Sequence, residues 1–254
     1  MVDYSGKHLG RLPASHNPAV PLLMSLVLDA EDLPAPPDES NWYRAVAEWP
    51  MDNNDTQPDC TSAAVAHAIQ QWTTYAQNMS LIMQAAAVLG FYQLTKAPGD
   101  EGGAILVDVM KYWMTKGIET GFGLHQIAAF AKVDPGNIPH TKSAVAWFGN
   151  LVIGLGLPMT AQTQDVWVVV SGSVASGMAS WGGHCVLIVG YDQQFIYFVS
   201  WGRVMQMTWD FYETYCDEAY VALTESWMKP PGIAPSGFNW AGLKKAMNAL
   251  KLAA

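Results

Sequence analysis

A cysteine at the start of a small-residue helix is the first residue in this sequence that could do chemistry. Cys60 follows a polar, proline-containing loop, residues 53–59, and opens a run that favours a helix. A helix N-terminus carries about half a positive charge and free N–H groups, which bias a thiol towards the thiolate. Cys60 is therefore the first candidate nucleophile, and it needs a base from elsewhere in the chain.

A histidine in the second half of the chain is the candidate base. His184 follows two glycines and precedes a strand-like segment, residues 185–189. After the next strand-like segment comes a turn that contains Trp201. A histidine on a strand that faces a helix-terminal cysteine takes the thiol proton and leaves a thiolate–imidazolium pair.

Five short motifs resemble, in their order and spacing, those of the papain-like cysteine peptidases. They are Asp-Cys-Thr-Ser-Ala at 59–63, Asp-Glu-Gly-Gly at 100–103, Gly-Leu-Gly-Leu-Pro at 154–158, Gly-Gly-His-Cys-Val at 182–186 with Val-Gly-Tyr at 189–191, and Ser-Trp-Gly at 200–202. The resemblance extends over roughly residues 45–223. It implies a divergent member of that family, from a bacterium or a phage.

The resemblance implies a thiol hydrolase that cleaves a peptide or related amide bond through an acyl-thioester intermediate. Cys60 would be the nucleophile and His184 the base. The family places an amide donor for the oxyanion six residues before the cysteine, where this chain has Asn54. Gln57 is the fallback candidate for this amide donor, and the backbone N–H of Cys60 would be the second oxyanion donor. Asp59, beside the thiol, would raise its pKa.

The family also has an asparagine that orients the histidine, directly before its Ser-Trp-Gly. Val199 stands at that position and cannot accept an imidazole N–H. Ser200, the next residue, can accept it and is the candidate orienting residue. Trp201 would shield His184 from water.

The elements that position these residues divide the chain into a helical first half and a strand-rich second half, which is the α+β pattern. Helices are predicted at 61–77, 80–94 and 104–116, with a short one at 124–131, and strands at 151–161, 166–171, 185–189, 195–200 and 219–223. With the resemblance, this predicts a two-lobe papain-like fold. Its helical N-terminal lobe would contain the central nucleophile helix, and its C-terminal lobe would be rich in antiparallel strands.

Three regions follow from the proline distribution and the hydrophobic pattern. They are an extended, proline-rich arm on a surface at 1–41, a papain-like domain at 42–223 with lobes at about 50–141 and 142–223, and a linker with a C-terminal amphipathic helix at 224–254. None of these regions is predicted to cross a membrane, because no apolar run is long enough.

Composition excludes several classes of function. The formal charge of −9 and the lack of any run of five basic residues argue against a nucleic-acid partner. Three cysteines are too few for a disulfide scaffold, and their spacing from histidines predicts no metal site; no cofactor is expected either. Since no signal peptide is visible, we expect a soluble protein that is cytoplasmic or associated with a virion.

A second interpretation belongs to another class. A papain-fold protein with weak or no catalysis could serve as a structural, virion-associated or binding component of an assembly. The missing asparagine at 199, the proline-rich arm and the amphipathic tail favour this alternative. Contacts with a protein partner or a second copy would then run through residues 1–41 and 236–254.

Overall fold

Helices cluster in the first half of the chain and strands in the second. The computed structural model describes residues 2–15, 17, 19–20, 22, 35–99, 102–230 and 232–237. The helices in these ranges are α1 (Cys60–Gln77), α2 (Ala85–Thr95), α3 (Leu106–Thr115), α4 (Ile138–Phe148) and α5 (Trp209–Tyr215). The strands are β1 (Ser40–Asn41), β2 (Ile118–Glu119), β3 (Leu124–His125), β4 (Ala129–Lys132), β5 (Leu151–Leu157), β6 (Val166–Trp167), β7 (Gly182–Tyr191), β8 (Phe195–Ser200), β9 (Arg203–Thr208) and β10 (Cys216–Leu223).

One large sheet organises the molecule and separates two hydrophobic cores. Its strand order is β4-β10-β5-β7-β8-β9-β6, with β1 added beside β7, and its strands are antiparallel except where β6 runs parallel to β9. Alternate residues of a strand face opposite sides. In β7, Val186 and Ile188 accordingly join one core, while Leu187 and Val189 join the other.

The two cores contain different helices. The core that includes Leu187 holds the buried sides of α1, α2 and α3. The core that includes Val186 holds α4 and α5. Strands buried on both faces explain why β5 and β7 are almost continuously apolar in sequence.

Helix α1 is buried along most of its length and sets the position of Cys60. Its first ten residues, 60–69, are all buried, and several are alanine or another small residue. Small side chains let the backbone of the helix approach the sheet closely, and α1 contacts β7 accordingly. Trp72 fixes the helix further along by donating from Nε1 to the carbonyl of Phe148 at 3.0 Å.

The α+β prediction is confirmed, and so is the helix predicted at 61–77, which begins one residue earlier at Cys60. The short helix predicted at 124–131 is wrong. That segment contains β3 and β4, because residues 129–132 pair with β10 and complete the edge of the sheet. The partner strand lies about 90 residues away in the sequence. Its pairing outweighs the local helix preference of this segment, and a short sequence window does not contain it.

Two helices, α4 and α5, were not anticipated from the sequence. The amphipathic helix predicted at the C-terminal end of the 224–254 region lies outside the described residues. The strand predicted at 166–171 is limited to Val166–Trp167. Among the described helices, none combines the length and the hydropathy that a bilayer span requires.

Candidate active site

Cys60 lies at the N-terminus of α1, against strand β7. Its side chain is buried, and Sγ accepts a hydrogen bond from the backbone N–H of Cys185 at 3.4 Å. Cys185 is the residue directly after His184, so this contact places the thiol against the strand that carries the candidate base. The side chain of Cys185 packs in the core shared with α1.

His184 is completely buried and has a hydrogen-bond partner for only one ring nitrogen. Nε2 lies 2.8 Å from Oγ of Ser200, while Nδ1 has no partner among the described residues. In the pairing of β7 with β8, Leu187 faces Val199, so Ser200 is diagonal to His184 on the same face of the sheet. Val199 points into the other core.

Trp201 covers His184 from a tight turn between β8 and β9. Their rings are stacked with centroids 4.7 Å apart and an interplanar angle of 19°. Trp201 and Gly202 both have positive φ, 47° and 73°, as a two-residue type I′ hairpin turn requires. A non-glycine residue with positive φ, such as this tryptophan, costs about 1–3 kcal/mol of conformational free energy and persists only where its surroundings stabilise it. Here the ring of Trp201 lies in an aromatic cluster, in contact with Tyr4, Trp167 and Trp181 as well as with His184.

The N-terminal arm enters this site, which corrects the prediction that it lies on a surface. The backbone N–H of Arg11 donates to the carbonyl of Gly183 at 3.1 Å, next to His184. On the opposite side, Ala104 N–H donates to Gly10 O at 2.8 Å, and Leu12 N–H donates to Ala104 O at 3.0 Å. Residues 10–12, the cleft segment from here on, therefore lie between the α1–α3 side and the sheet.

Two glycines make this close approach feasible. A Cβ added to Gly10 would lie 1.8 Å from the carbonyl oxygen of Pro58, two residues before the thiol. A Cβ added to Gly183 would lie 2.1 Å from the carbonyl oxygen of Arg11. Real Cβ atoms do not approach backbone atoms so closely. The cleft segment can therefore lie in this position only if residues 10 and 183 are both glycine.

The arm makes further contacts beside the site. Tyr4 stacks on the far face of the Trp201 ring, with centroids 5.1 Å apart. The guanidinium of Arg11 forms ion pairs with Asp217 and Glu218, each at 2.8 Å. Cys60 and His184 are thus enclosed by the chain's own N-terminal residues.

Enclosure shifts both candidate catalytic groups towards their neutral forms. Burial raises the pKa of Cys60 to about 11, and the Asp59 carboxylate adds to this, while hydrogen bonds from the backbones of Cys185 and Gly10 oppose it. Burial, together with the nearby Arg11 charge, lowers the pKa of His184 to about 3. At neutral pH the pair in this closed state is a thiol and a neutral imidazole.

Asn54 and Gln57, the two candidate oxyanion donors, lie before α1. Asn54 is buried, and its Nδ2 donates to Oδ1 of Asp59 at 3.4 Å. Gln57 is half-buried, and its backbone N–H donates to the carbonyl of Asn53 at 2.8 Å. Asn54 is therefore joined to the residue next to the nucleophile, which favours it over Gln57.

Asp59 occupies the N-cap position of α1 without making a side-chain capping bond. Burial raises its pKa to about 7, and the hydrogen bond from Asn54 opposes that rise. Oδ2 has no hydrogen-bond partner among the described residues. An ionised Asp59 is consequently a poorly solvated charge beside Cys60.

We expect Asp59→Asn to stabilise the protein increasingly as the pH rises. The folded pKa of Asp59 lies above its unfolded value of 3.8, so its stabilising contribution is complete below pH 3.8 and is lost as the pH rises through about 7. Asparagine does not titrate and can still accept from Asn54. Thermal unfolding from pH 4 to 8 should show the advantage of Asp59→Asn growing across that window, with Asp108→Asn, at an exposed carboxylate of α3, as the control. A constant difference would contradict this account.

The other buried histidines and cysteines have structural partners. His67 Nε2 lies 2.8 Å from the carbonyl of Pro50 and 3.2 Å from Oδ2 of Asp52. Cys216 is buried in β10. In the described part of the chain, no group of three His, Cys, Asp or Glu side chains could hold a metal ion.

Sequence reasoning missed the residues that enclose the site. Gly10 and Arg11 lie about 50 residues before Cys60 in a segment without periodicity, and nothing local points to a cleft. Nor does the sequence around Asp217 and Glu218 indicate that they lie beside the site. The one usable signal was the single arginine of residues 1–41, flanked by glycine and leucine in a proline-rich arm.

Comparisons with known proteins found similar structures but no similar sequence. No protein-family model matches the chain, and no curated protein matches it in sequence. Xylellain, a cysteine protease from Xylella fastidiosa, is similar in structure with a TM-score of 0.64 at 15% identity, covering 86% of this chain and 97% of that one. Procathepsin B S9 from Trypanosoma congolense has a TM-score of 0.59 at 12% identity, covering 87% and 88%. The Carica candamarcensis cysteine protease CMS1MS2 has a TM-score of 0.55 at 12% identity, covering 74% and 99%.

Proposed function

From the papain-like fold that the chain has in common with these cysteine proteases, we propose that it is a thiol hydrolase of peptide or related amide bonds. Cys60 is its nucleophile and His184 its base. The observation that carries this proposal is the hydrogen bond from Cys185 N–H to Cys60 Sγ, beside a histidine held through Nε2 and unpartnered at Nδ1. That arrangement leaves one imidazole nitrogen for the thiol proton.

The reaction proceeds in two halves. Once the site is open, His184 takes the proton of Cys60, and Sγ attacks the carbonyl carbon. The carbonyl oxygen becomes an oxyanion that accepts from the backbone N–H of Cys60 and from Asn54. The Nδ2 group of Asn54 has two hydrogens, so it can donate one to Asp59 and the other to the oxyanion. The C–N bond then breaks, and His184 gives its proton to the leaving amine.

Water completes the cycle. His184 takes a proton from a water molecule, whose oxygen attacks the thioester carbon. The C–S bond then breaks, His184 returns its proton to Sγ of Cys60, and the released acid ionises to a carboxylate. Trp201 covers one face of the imidazole and limits its hydration. Removal of water around the ring strengthens the hydrogen bond that Ser200 makes to it.

The closed state described above is the resting form in this proposal. A substrate cannot reach Cys60 while the cleft segment is seated, because residues 10–12 occupy the space between Ala104 and Gly183. The arm therefore has to leave before catalysis. Activation by movement or cleavage of the arm is part of the proposed function.

Trapping of the intermediate tests the proposal directly. Full-length protein carrying Gly10→Ala, whose added Cβ would overlap the Pro58 carbonyl and so displace the arm from the cleft, is mixed with a peptide library and quenched in acid. We expect new peptide termini, together with an acyl adduct on the tryptic peptide that contains Cys60. New termini without an adduct, or an adduct on Cys185 or Cys216, would contradict the assignment of Cys60.

The enclosure of the site is the observation that favours a second candidate function. Cys60 and His184 are both buried and neutral, and an arm that never leaves would suit a structural or binding component of an assembly. In that case Gly10→Ala should yield neither cleavage nor an adduct. Size-exclusion chromatography of the wild type should then show a stable oligomer that deletion of residues 1–41 disrupts.

We expect Ser200→Ala to lower kcat/KM about 10- to 100-fold, because a hydrogen bond to a charged group contributes about 1.5–3 kcal/mol. The bond stabilises the protonated imidazole of the thiolate–imidazolium pair, so its loss should move the alkaline limb of the pH–rate profile to lower pH. Ser143→Ala, a buried serine in α4, is the matched control and should change neither quantity. Equal losses in both variants would indicate a packing effect instead of orientation of the imidazole.

A further inference from the structure

A pocket of two acidic side chains lies beside the candidate catalytic pair. Arg11 fills it, with Nη1 donating to Oε1 of Glu218 and Nη2 donating to Oδ2 of Asp217, both at 2.8 Å. The side chains of Arg11 and Glu218 are each 2% exposed, and that of Asp217 is 29% exposed. Two bonds from the two terminal nitrogens of one guanidinium match the planar fork of arginine.

A β-bulge makes the pocket. Consecutive residues of a strand face opposite sides of the sheet, yet Asp217 and Glu218 both bind Arg11. The pairing of β10 with β5 shifts register between Cys216 and Glu218. A bulge of this kind turns a side chain from its regular direction, and here it brings two neighbouring carboxylates to one cation.

Gly154 provides the room for the stem of the basic side chain. It faces Glu218 across the β5–β10 pair. A Cβ at Gly154 would lie 2.7 Å from Cδ of Arg11 and 2.7 Å from Cγ of Glu218. Any side chain there would block the channel along which the arginine methylenes lie.

The pocket is tied in register to the thiol. Gly154 pairs with Glu218 on one side and with Cys185 on the other, and Cys185 N–H holds Sγ of Cys60. Neighbouring strands lie about 4.8 Å apart, so the backbones of Glu218 and Cys185 are about 10 Å apart. A side chain in the pocket therefore belongs to a residue whose backbone passes beside Cys60.

We propose that this acidic pocket selects peptide substrates by binding an arginine side chain close to the scissile bond, in the register that Arg11 now occupies. The inference rests on the proposed hydrolase function and names its substrate class. Arg11 is then a resident occupant of the pocket, which a substrate arginine replaces when the arm leaves.

The charges of the pocket explain why a basic side chain is required. Asp217 Oδ1 is buried without a hydrogen-bond partner among the described residues, and so is Nε of Arg11, so the pocket has an acceptor beyond those that Arg11 uses. A buried carboxylate that loses its counter-ion is strongly unfavourable, which excludes an apolar or acidic side chain. Lysine brings the charge but not the fork, so we expect it to rank second.

Peptide binding to a full-length, inactive chain tests the pocket apart from catalysis. The protein carries Gly10→Ala, Arg11→Ala and Cys60→Ala, and the probe is a fluorescent peptide with the sequence of residues 7–15. By anisotropy, we expect it to bind about 10- to 100-fold more tightly than the same peptide with leucine in place of arginine, as two charge-assisted bonds imply. Glu218→Gln should remove most of that difference, whereas Glu213→Gln, an exposed glutamate of α5, should leave it intact.

Measurements of peptide turnover distinguish selection of arginine by the pocket from hydrolysis by Cys60. With Cys60 restored, arginine and leucine versions of a fluorogenic peptide are compared. A preference in binding without any cleavage would support the pocket and overturn the hydrolase. Cleavage of both peptides at equal kcat/KM, or equal binding of both, would overturn the pocket. Should Glu218→Gln fail to fold, Asp217→Asn provides the same test with a smaller loss, because Asp217 is partly exposed.

Discussion

Cys60→Ala is expected to abolish peptide hydrolysis, lowering kcat by roughly 10³-fold or more, and His184→Ala should cost about as much. Both variants are made in the full-length Gly10→Ala background so that the cleft is open. Nucleophile and base act as one unit, so removing either removes the whole covalent route. Residual turnover would reflect the binding and oxyanion contacts alone.

The double variant provides the sharper test. Because the two residues act together, Cys60→Ala with His184→Ala should be no slower than either single variant. Additive losses would mean that the two side chains act independently, which would contradict a thiolate–imidazolium pair. Ser62→Ala, in the same turn of α1, is the matched control and should retain activity, since small residues surround it in the helix.

Gly10→Ala is expected to displace the arm and make Cys60 reactive. The added Cβ would overlap the carbonyl group of Pro58, whose oxygen would lie 1.8 Å away, and backbone cannot yield as a flexible side chain can. Loss of burial should then return the pKa of Cys60 from about 11 towards its ordinary value of 9.0. Each pKa unit is tenfold in thiolate at pH 8, so alkylation by iodoacetamide should accelerate about 100-fold.

The chain offers a matched control within the same arm. Gly6→Ala adds the same methyl group where nothing lies within 4 Å, so its labelling rate should equal that of the wild type. Gly183→Ala should also displace the arm, because its Cβ would meet the carbonyl oxygen of Arg11 from the opposite wall. Labelling of Cys60 in Gly10→Ala at the wild-type rate would show that the cleft segment does not govern access to the thiol.

The arm also competes with an incoming peptide for the cleft. A tethered segment competes at an effective concentration in the millimolar range when its linker is short and flexible. Wild-type protein should therefore hydrolyse peptides slowly even at high substrate concentration. Gly10→Ala separates that competition from the chemistry of Cys60 and His184.

Much of the fold and the core of the site could be predicted from the sequence. The run of small residues after Cys60 predicts a tightly packed helix, and a helix terminus beside a thiol is a local arrangement. The strand that carries His184 is likewise encoded locally, by apolar and β-branched residues that follow two glycines. The motif resemblance predicted the papain-like fold, and the structural comparisons confirm it.

Other features depended on pairings between distant residues. Ser200, not Val199, meets His184 because the register of β7 with β8 puts it on the same face. The segment at 129–132 is a strand because β10 pairs with it. Asp217 and Glu218 face one guanidinium because of a bulge against β5. A short sequence window contains none of these partners.

The sequence by itself determined that this chain places a cysteine at a helix terminus, a histidine on a strand, and a fold that relates them. Only the tertiary structure decided that the site is closed, that Arg11 occupies an acidic pocket, and that thiol and imidazole are both neutral there. The reason is physical. Desolvation shifts the pKa values of Cys60 and His184, and close packing brings Arg11 to the two carboxylates. Desolvation and packing arise only when segments far apart in sequence come together in the fold.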